Sequence, residues 1–552
     1  MSEVPTIDQL YFPSALSDGC RCIKAKRVCE GYTNFVDFAS SDQGRRRGTA
    51  SWRMTTTASA ARQYVATPER PLLEFKASES EWRAFNLYSE KAGIFSGAFD
   101  KKFWRDFVLQ VATHEPAVRQ GVIALGSFCP HILAGSELEK RSSCGCAGCV
   151  QGFKAYNKAL NLIASPTFSR SKIHVALLTC LLFIGIEMMR GSEEHVITLA
   201  TGGLKLMAED ETALSSALVE QSLLPAFTRI RLCSALFTHT IDHIPKAAVE
   251  RVMQRVHDPR PMAIEELRDS LFSIMAEALE MIHFVTRSRR CFDPQNERMS
   301  TIEHERDYWS AMGNTWFARF TEWEREQTLR AAFMSEEAKA ESAYMIALLK
   351  CYHLASDIWL HTVLSHSQLV YQEYEAEFTA LLDAAASVLE TSSISQTHSS
   401  SSFTPFTFEM GLLPPLYFVA YRCRRPDLRR RAVSLLELVP TSEATWDKSI
   451  HIALAKRIIE VEEHGFQHSH SSISTGCAAS VNDSRTVHLM HDISISPSLM
   501  GDNVIRPDPD CWQLNDKSGG LQCILTYYWF DDDGTAMRKD ELLDVRTGKV
   551  VL

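Results

Sequence analysis

The sequence predicts a mainly α protein with a small β-containing tail at its C-terminal end. Apolar residues recur with helical spacing from Glu81 to about residue 463, whereas aromatic and β-favouring residues cluster at Leu521–Phe530. The turn sequence Asp531–Gly534 follows that cluster and predicts a hairpin. The 552 residues, 45% hydrophobic and 23% charged, have an ordinary globular composition and suffice for about two to four domains or subdomains.

The helices of the central region can be predicted in chain order. Phe103, Phe107 and Val111 form one apolar stripe, and Pro116 marks the start of a second helix that continues to Leu133. Gly202–Gly203 lies within a helical pattern, so we expect a helix end or a point of close packing there. Further helices are predicted around residues 151–164, 172–190, 193–208, 216–241, 263–287, 305–332, 336–364, 368–390, 408–424, 426–438 and 442–463.

Membrane insertion and export are not expected. The longest apolar run, Val175–Ile186, is interrupted by polar and small residues and is shorter than the roughly 20 residues that cross a bilayer. The N-terminus lacks the basic-then-apolar pattern of a signal peptide. The 15 cysteines are scattered without paired spacing, which indicates a reducing compartment.

Residues Cys20–Tyr32 form a short basic segment with three cysteines, C-R-C-I-K-A-K-R-V-C-E-G-Y. The six residues between Cys22 and Cys29 include three cations: Lys24, Lys26 and Arg27. Such a spacing can arise by chance in a chain with 15 cysteines. No histidine lies within the segment, so three thiolates could at best hold one zinc ion with an open coordination position.

The segment resembles the second half of the binuclear zinc cluster of fungal transcription factors, a DNA-binding module with six cysteines. Cys22 and Cys29 match two of the six positions, and Cys20 matches a third imperfectly, because Gly19 stands where the module has cysteine. Residues 1–19 contain no cysteine, so the first half is missing. The resemblance implies zinc as cofactor and DNA as partner. As written, the chain is not expected to form the two-metal cluster.

Charge is distributed unevenly between this N-terminal part and the rest of the chain. Residues 1–70 carry ten lysines and arginines and seven acidic residues, which leaves about −13 of charge on the remainder of a chain whose net charge is −10. A basic arm on an acidic body is typical of a protein that contacts nucleic acid through the arm. We expect Lys24, Lys26 and Arg27 to lie near phosphates. The run Arg45–Arg47 is equally consistent with DNA contact and with a solvated linker or import signal.

The helical body resembles the regulatory region of one group of fungal zinc-cluster transcription factors. The stretch Ile94–Asp100 resembles the start of that region, and Leu413–Phe418, L-P-P-L-Y-F, followed by Arg429–Ala432, is the most specific match. Glu443, Trp446 and Asp447 continue the pattern near its end: the resemblance spans about residues 85–465. We interpret Pro414–Pro415 and the flanking apolar residues as scaffold rather than as a chemical site.

The resemblance divides the chain into four parts. Residues 1–32 are the truncated zinc-cluster remnant, residues 33–79 a flexible linker, residues 80–465 the α-helical regulatory domain, and residues 466–552 a Ser/His-rich linker with the β-containing tail. A nuclear transcription factor is implied, with DNA, a second copy of the chain and transcriptional co-regulators as partners and no membrane. Either the gene prediction omits an upstream exon, which residues 1–18 favour because they resemble nothing in the module, or the protein has lost DNA binding and acts through partners as an interaction or ligand-sensing regulator.

Enzyme chemistry is not predicted, although two clusters of potential metal ligands occur. The sequence contains neither H-E-x-x-H, a P-loop, G-x-S-x-G nor a strand-linked G-x-G-x-x-G. Cys144, Cys146 and Cys149, in C-G-C-A-G-C, could hold a soft metal, but without a neighbouring fourth ligand we favour a glycine-rich loop between helices. His464, His468 and His470 stand where a helix gives way to a Ser/His/Gly stretch, and we favour a solvated linker.

Overall fold

The computed structural model of the chain defines a helical core and two small sheets. It describes residues 75–133, 144–209, 217–236, 245–291, 301–397, 406–464, 492–497, 522–530, 536–544 and 548–550, apart from 98, 166, 170, 171 and 366. The N-terminal segment Cys20–Tyr32, with its predicted metal and DNA contacts, lies outside these residues. So do Arg45–Arg47, His468 and His470.

The mainly α prediction is confirmed. Ser78 caps the first helix through a reciprocal pair of hydrogen bonds with Glu81, the capping-box arrangement. The helices are α1 (Glu79–Phe95), α2 (Val108–His114), α3 (Pro116–Leu133), α4 (Ala147–Ile163), α5 (Ile173–Arg190), α6 (Glu193–Glu209), α7 (Leu224–Ala235), α8 (Lys246–His257), α9 (Ile264–Cys291), α10 (Ile302–Arg330), α11 (Glu336–Thr362), α12 (Glu375–Thr397), α13 (Leu413–Arg422), α14 (Pro426–Leu436) and α15 (Lys448–His464).

Short irregular turns precede several of these helices. The predicted stripe at Phe103–Phe107 forms a π-helical turn that runs into α2, and Val219–Leu223 forms another before α7. Pro225 follows the second turn and has no N–H to continue the ordinary hydrogen-bond ladder, which favours a local π bulge. Single 3₁₀ segments, Ala331–Phe333 and Gln368–Tyr374, lie before α11 and α12.

Helix α5 lies at the centre of the core. Every side chain from Val175 to Met189 is buried, and the helix ends at Gly191, whose φ of 72° is the left-handed conformation that favours glycine. By length and composition α5 could cross a membrane, but 83% of it is buried inside the protein, as in the core helix of a globular domain. Gly203 of α6 confirms the predicted close packing, since a Cβ there would lie 2.2 Å from the ring of Phe227.

A small three-stranded sheet corrects two of the predicted helix starts. Strand β1 (Phe406–Thr407) pairs in parallel with β2 (Ser442–Glu443), which pairs antiparallel with β3 (Trp446–Asp447). Residues 408–412 and 442–447 are therefore not helical, and the helices begin at Leu413 and Lys448. The hairpin turn places Ala444 at a φ of 49°, a strained conformation for a residue with a Cβ, which apolar periodicity cannot reveal.

Helix α8 is absent from the helices that the sequence predicts. Its twelve residues follow Pro245 and bury Ala248, Met253 and Val256 against the neighbouring helices. The segment is short and rich in charged side chains, but its apolar residues do recur on one face of the helix and are a usable signal.

The C-terminal strands confirm the predicted β tail. Strands β4 (Asp492–Pro497), β5 (Gln522–Phe530), β6 (Ala536–Asp544) and β7 (Lys549–Val550) form an antiparallel sheet in chain order. Alternate side chains of β5, from Cys523 to Trp529, pack with Leu454 and Val461 of α15 in one apolar cluster. Arg457 of α15 also donates two hydrogen bonds to Glu541 of β6, at 3.0 and 2.9 Å. The sheet is thus anchored to the last helix of the core.

Candidate functional site

The residues that the sequence singles out near the C-terminal end of the core converge on helix α13. The carboxylate of Glu443, on strand β2, accepts hydrogen bonds from the backbone N–H groups of Gly411, Leu412 and Leu413 at 3.1, 3.1 and 2.7 Å. These are donors at the start of α13, where a helix has no carbonyl partners of its own. Burial raises the pKa of Glu443 to about 7, although these three N–H groups and Lys448 act to lower it. Glu443 therefore caps α13 from about 30 residues away.

The β2–β3 hairpin that carries Glu443 is itself fixed to α7 and α15. Trp446 donates its indole N–H to the carbonyl of Cys233 at 3.2 Å and stacks on His451, with ring centroids 4.3 Å apart. Asp447 accepts from the N–H of Ile450 at 3.0 Å and so caps α15. The Leu413–Phe418 motif and the Glu443–Asp447 motif are thus one structural unit. This arrangement fits the scaffold role predicted for Pro414–Pro415, which occupy the first turn of α13 and are buried.

A buried group of charges, which we call the acidic network, joins four distant parts of the chain. Its members come from the turn before α2, from α7, from α9 and from the segment before α13: Asp100, Arg229, Arg268, Asp269 and Glu409. Arg268 contacts Asp100 at 3.0 Å, Asp269 at 2.8 Å and Glu409 at 3.3 Å. Arg229 contacts Asp269 at 2.7 Å and also Asp100. Three carboxylates here surround two guanidinium groups.

The energetics of the acidic network centre on Arg268, whose side chain is 3% exposed. Burial lowers the pKa of this guanidinium, but the charges of Asp100, Asp269 and Glu409 raise it well above its ordinary value overall. Gly97 makes the approach of Glu409 possible, because a Cβ at its φ of 64° would collide with that carboxylate. A cavity of about 40 Å³ adjoins the network, enough for a few water molecules rather than for a metabolite.

A second buried group, the arginine cluster, has the opposite charge balance. It consists of Gln368, Arg422, Arg424, Arg429 and Glu462. Glu462, 1% exposed, contacts Arg424 at 2.8 Å and Arg429 at 2.7 Å. Arg422 donates to Gln368 at 2.9 Å. Burial lowers the pKa of Arg429, although Glu462 acts to raise it.

The predicted motif Arg429–Ala432 therefore divides its arginines between core and surface. Arg429 is buried in the arginine cluster, whereas Arg430 forms an exposed pair with Glu463 at the edge of α15. Arg431 pairs with Asp383 of α12 at 2.8 Å, also in an exposed position. The three consecutive cations thus hold α14 against two different helices and do not form a single basic patch.

A small cavity lies between the α5–α6 turn and the β2–β3 hairpin. It measures about 40 Å³ and is lined by Glu193, Ser442 and His451 among others. Burial raises the pKa of Glu193 to about 7 and lowers that of His451 to about 4. Within the described part of the chain, Glu193 Oε1 and Ser442 Oγ are buried without a hydrogen-bond partner. Such polar atoms in a cavity of this size are suited to ordered water.

Three cysteines converge at the start of α4, and we call them the thiol cluster: Cys144, Cys146 and Cys149. Their sulfur atoms all lie within 4.8 Å of one another. The backbone N–H of Cys149 donates to Cys146 Sγ at 3.4 Å, so Cys146 caps the helix, and the N–H of Cys146 donates to Cys144 Sγ at 3.5 Å. Burial and the two neighbouring thiols raise the pKa of Cys149 to about 12. The expected glycine-rich loop therefore holds Cys144 and Cys146 only, since Cys149 belongs to the helix.

Sequence reasoning identified the scaffold motifs but missed the acidic network. Arg229 and Arg268 interrupt the apolar periodicity of the helices predicted at 216–241 and 263–287, and a cation on a core-facing stripe is a usable signal. No local signal connects Asp100 or Glu409 to them, because these residues come from segments more than 100 positions away. The predicted nucleic-acid and zinc contacts, Cys20, Cys22, Cys29, Lys24, Lys26 and Arg27, lie outside the described residues and stay predictions.

Comparison with known proteins identifies the class to which this helical scaffold belongs. Residues 88–441 match the fungal specific transcription factor domain, which is more than half of the chain. The chain therefore belongs to this family of fungal transcription factors, and the resemblance found in the helical body is confirmed. No solved structure matches it.

A relative of known regulatory class supports the same assignment. The chain is 20% identical, over 566 aligned positions, to the aspercryptin biosynthesis cluster-specific transcription regulator atnN of Emericella nidulans, with 84% of this chain and 88% of that protein covered. The protein is accordingly a fungal transcriptional regulator. Family and relative point to regulation of transcription rather than to catalysis.

Proposed function

We propose that the protein is a nuclear, DNA-binding regulator of RNA polymerase II transcription that controls genes of secondary metabolism. The observation that carries the proposal is the family match over 88–441, joined to a relative named for a biosynthesis cluster. The basic N-terminal residues Lys24, Lys26 and Arg27 supply the charge for phosphate contacts. The helical domain would regulate this activity, through a second copy of the chain or through co-regulators.

Zinc fits the N-terminal segment only in part. Thiolates are suitable ligands for zinc, and Cys22 and Cys29 have the spacing of the family's module, with Cys20 one place out of register. Three thiolates supply half of the six that two zinc ions share in the intact module. The donor set of this chain therefore does not fit the binuclear cluster, and we assign no step of DNA recognition to it.

A second candidate function is a regulator that acts through partners without binding DNA itself, which is compatible with the three thiolates that Cys20–Tyr32 supply. In that case the helical domain would be the functional unit and the basic segment a solvated tail. The two candidates differ in one measurable property of the full-length protein, namely its affinity for DNA at physiological salt.

The first experiment measures gene control. Deletion of the gene is expected to lower the transcripts of a biosynthetic gene set in the fungus, and re-expression of the full chain should restore them. Unchanged transcripts under all conditions in which the gene is expressed would contradict the proposal for both candidates.

The second experiment separates the candidates. Chromatin immunoprecipitation and DNA-binding assays would compare the full chain with a variant carrying Lys24→Ala, Lys26→Ala and Arg27→Ala. Replacement of the exposed cations Arg325, Arg330 and Lys339 by alanine gives a control of equal charge change. DNA binding lost in the N-terminal variant alone supports the first candidate. Promoter occupancy retained by both variants, without DNA binding of the purified protein, supports action through partners.

A further inference from the structure

We propose that the thiol cluster at the start of α4 binds one soft d¹⁰ metal ion, Zn(II) or Cu(I), through the sulfur atoms of Cys144, Cys146 and Cys149. This site is separate from the N-terminal cysteines and goes beyond the proposed function. Soft thiolate ligands select these ions in proteins.

The sulfur geometry is close to that of a loaded site. Zinc–sulfur bonds are about 2.3 Å long, so thiolates on one tetrahedral ion lie roughly 3.8 Å apart. The three sulfur atoms already lie within 4.8 Å of one another. Small side-chain rotations, of about 1 Å at the sulfur, therefore suffice to bring them onto one ion.

The surrounding backbone is arranged to support bound thiolates. Cys144 and Cys146 each accept a backbone N–H, and hydrogen bonds to ligand atoms orient and stabilise them in metal sites. Cys146 caps α4, whose 17 residues direct the positive end of the helix dipole towards the site. Three thiolates with Zn(II) carry a net charge of −1, and with Cu(I) of −2, and a helix N-terminus favours either.

Access and anchoring also suit a metal site. Cys146 is exposed and Cys144 is half-buried, so an ion can enter from solvent, whereas Cys149 is buried and gives one fixed ligand. Gly148 lies between Cys146 and Cys149 in the sequence and packs against α3. A Cβ at this position would lie 3.3 Å from the carbonyl oxygen of Ser127. Metal binding would thus fix the segment with Cys144 and Cys146 to the first turn of α4, which already packs against α3. Three thiols give up their protons to solvent as three metal–sulfur bonds form, with no change of oxidation state.

The test uses the full-length chain, reduced and stripped of metal with a chelator. It is titrated with Zn(II) and with Cu(I) against competing chelators, and with Co(II) as a spectroscopic probe of thiolate coordination. In a variant with Cys20→Ser, Cys22→Ser and Cys29→Ser, we expect one equivalent to bind through three thiolates. The ion with the higher affinity in these titrations, Zn(II) or Cu(I), is the one that the site prefers.

The decisive variant is Cys144→Ser with Cys146→Ser in that same background. Serine caps a helix well, so the fold is expected to persist, which circular dichroism checks. The variant should bind the ion at least about 100-fold more weakly, because loss of ligands exceeds the loss caused by supporting contacts. A matched control, Cys423→Ser, removes a buried thiol elsewhere and should leave binding unchanged.

Three results would overturn the proposal. The first is no metal bound by the reduced chain once the N-terminal cysteines are replaced. The second is equal affinity in the presence and absence of the Cys144 and Cys146 thiols. A Cys146–Cys149 disulfide that resists reduction, detected by mass spectrometry, would also overturn it.

Discussion

The acidic network and the arginine cluster are both buried groups of ion pairs that join helices, but they have opposite charge balance. Both join helices that are far apart in sequence, and both are nearly closed to solvent. The acidic network places three carboxylates around Arg229 and Arg268, whereas the arginine cluster places Arg424 and Arg429 against the single carboxylate of Glu462 and Arg422 against Gln368. The difference matters because a buried carboxylate can neutralise itself by taking up a proton, and a guanidinium cannot lose one in a protein.

The arginine cluster therefore compensates its cations with neutral groups. Arg422 donates to the amide oxygen of Gln368 and lies 4.0 Å from the ring of Tyr421. Arg429 donates to the backbone carbonyl of Ala420 at 2.9 Å. Glu462 is therefore harder to replace than Arg268 of the acidic network. Removal of Glu462 leaves buried arginines that cannot become neutral by losing a proton.

Glu462→Gln is expected to have the largest effect on stability. It leaves Arg424 and Arg429 buried without their carboxylate, which we expect to lower the free energy of unfolding by about 4 kcal/mol. The loss should be the same at pH 5 and pH 8, because the stranded groups do not titrate in that range. Urea denaturation of the full chain at both pH values measures it. A loss of stability that disappears at either pH would contradict the claim that the buried arginines cannot become neutral.

Arg268→Met is expected to have the second largest effect, about 3 kcal/mol at pH 8. Asp100 keeps its contact with Arg229, but Glu409 then lies buried without the Arg268 cation, so we expect its pKa in the folded variant to rise above the unfolded value. Stability gained from protonation is present at low pH and is lost as the pH rises through this raised pKa. The loss should therefore be smaller at pH 5 than at pH 8. Arg268→Lys, which keeps the charge, serves as the control, and a pH-independent loss would contradict the argument.

Glu443→Gln tests a buried carboxylate that is compensated mainly by backbone N–H groups, with a smaller contribution from Lys448. We expect a loss of about 1–2 kcal/mol, since glutamine keeps one oxygen acceptor for the start of α13. Glu443 has a raised folded pKa of about 7, so its stabilisation is complete below the unfolded value and is lost as the pH rises to 7. The variant should show a shallower decline of stability between pH 4.5 and 7. Glu193 has a pKa shift of the same sign, so part of the slope should remain; an unchanged slope would refute the role of Glu443.

Glu463→Gln is expected to have the smallest effect, below about 0.5 kcal/mol, and sharpens the comparison because the ion pair that it breaks is more exposed than those of Glu462. It removes the partner of Arg430, whose side chain is 56% exposed, at the position next to Glu462. Water replaces the lost contact on the surface and salt screens it. A thermal melt should show almost no shift relative to the parent protein, and a loss comparable to that of Glu462→Gln would mean that burial does not decide the outcome.

The sequence predicted most of the fold but little of its internal chemistry. Helices such as α5 and α6 were located within a few residues because their apolar spacing is regular and local. The sequence predicts a helix where the β2–β3 hairpin forms. Glu443 and Trp446 form hydrogen bonds with residues distant in the chain, and local apolar spacing does not reveal such contacts. The same holds for Asp447. It caps a helix only because α15 begins at Lys448, and the sequence predicts an earlier start.

The sequence by itself determined the class of this protein. Regular apolar periodicity gave the helical body, alternating β-favouring residues gave the tail, and the L-P-P-L-Y-F and arginine motifs gave the family, since all of these are local patterns. Only the tertiary structure decided which charges are buried together and how closely the sulfur atoms of Cys144, Cys146 and Cys149 approach one another. Ion pairs and thiol clusters depend on distances of a few ångströms between residues far apart in the chain or on adjoining turns, and those distances are fixed by packing alone.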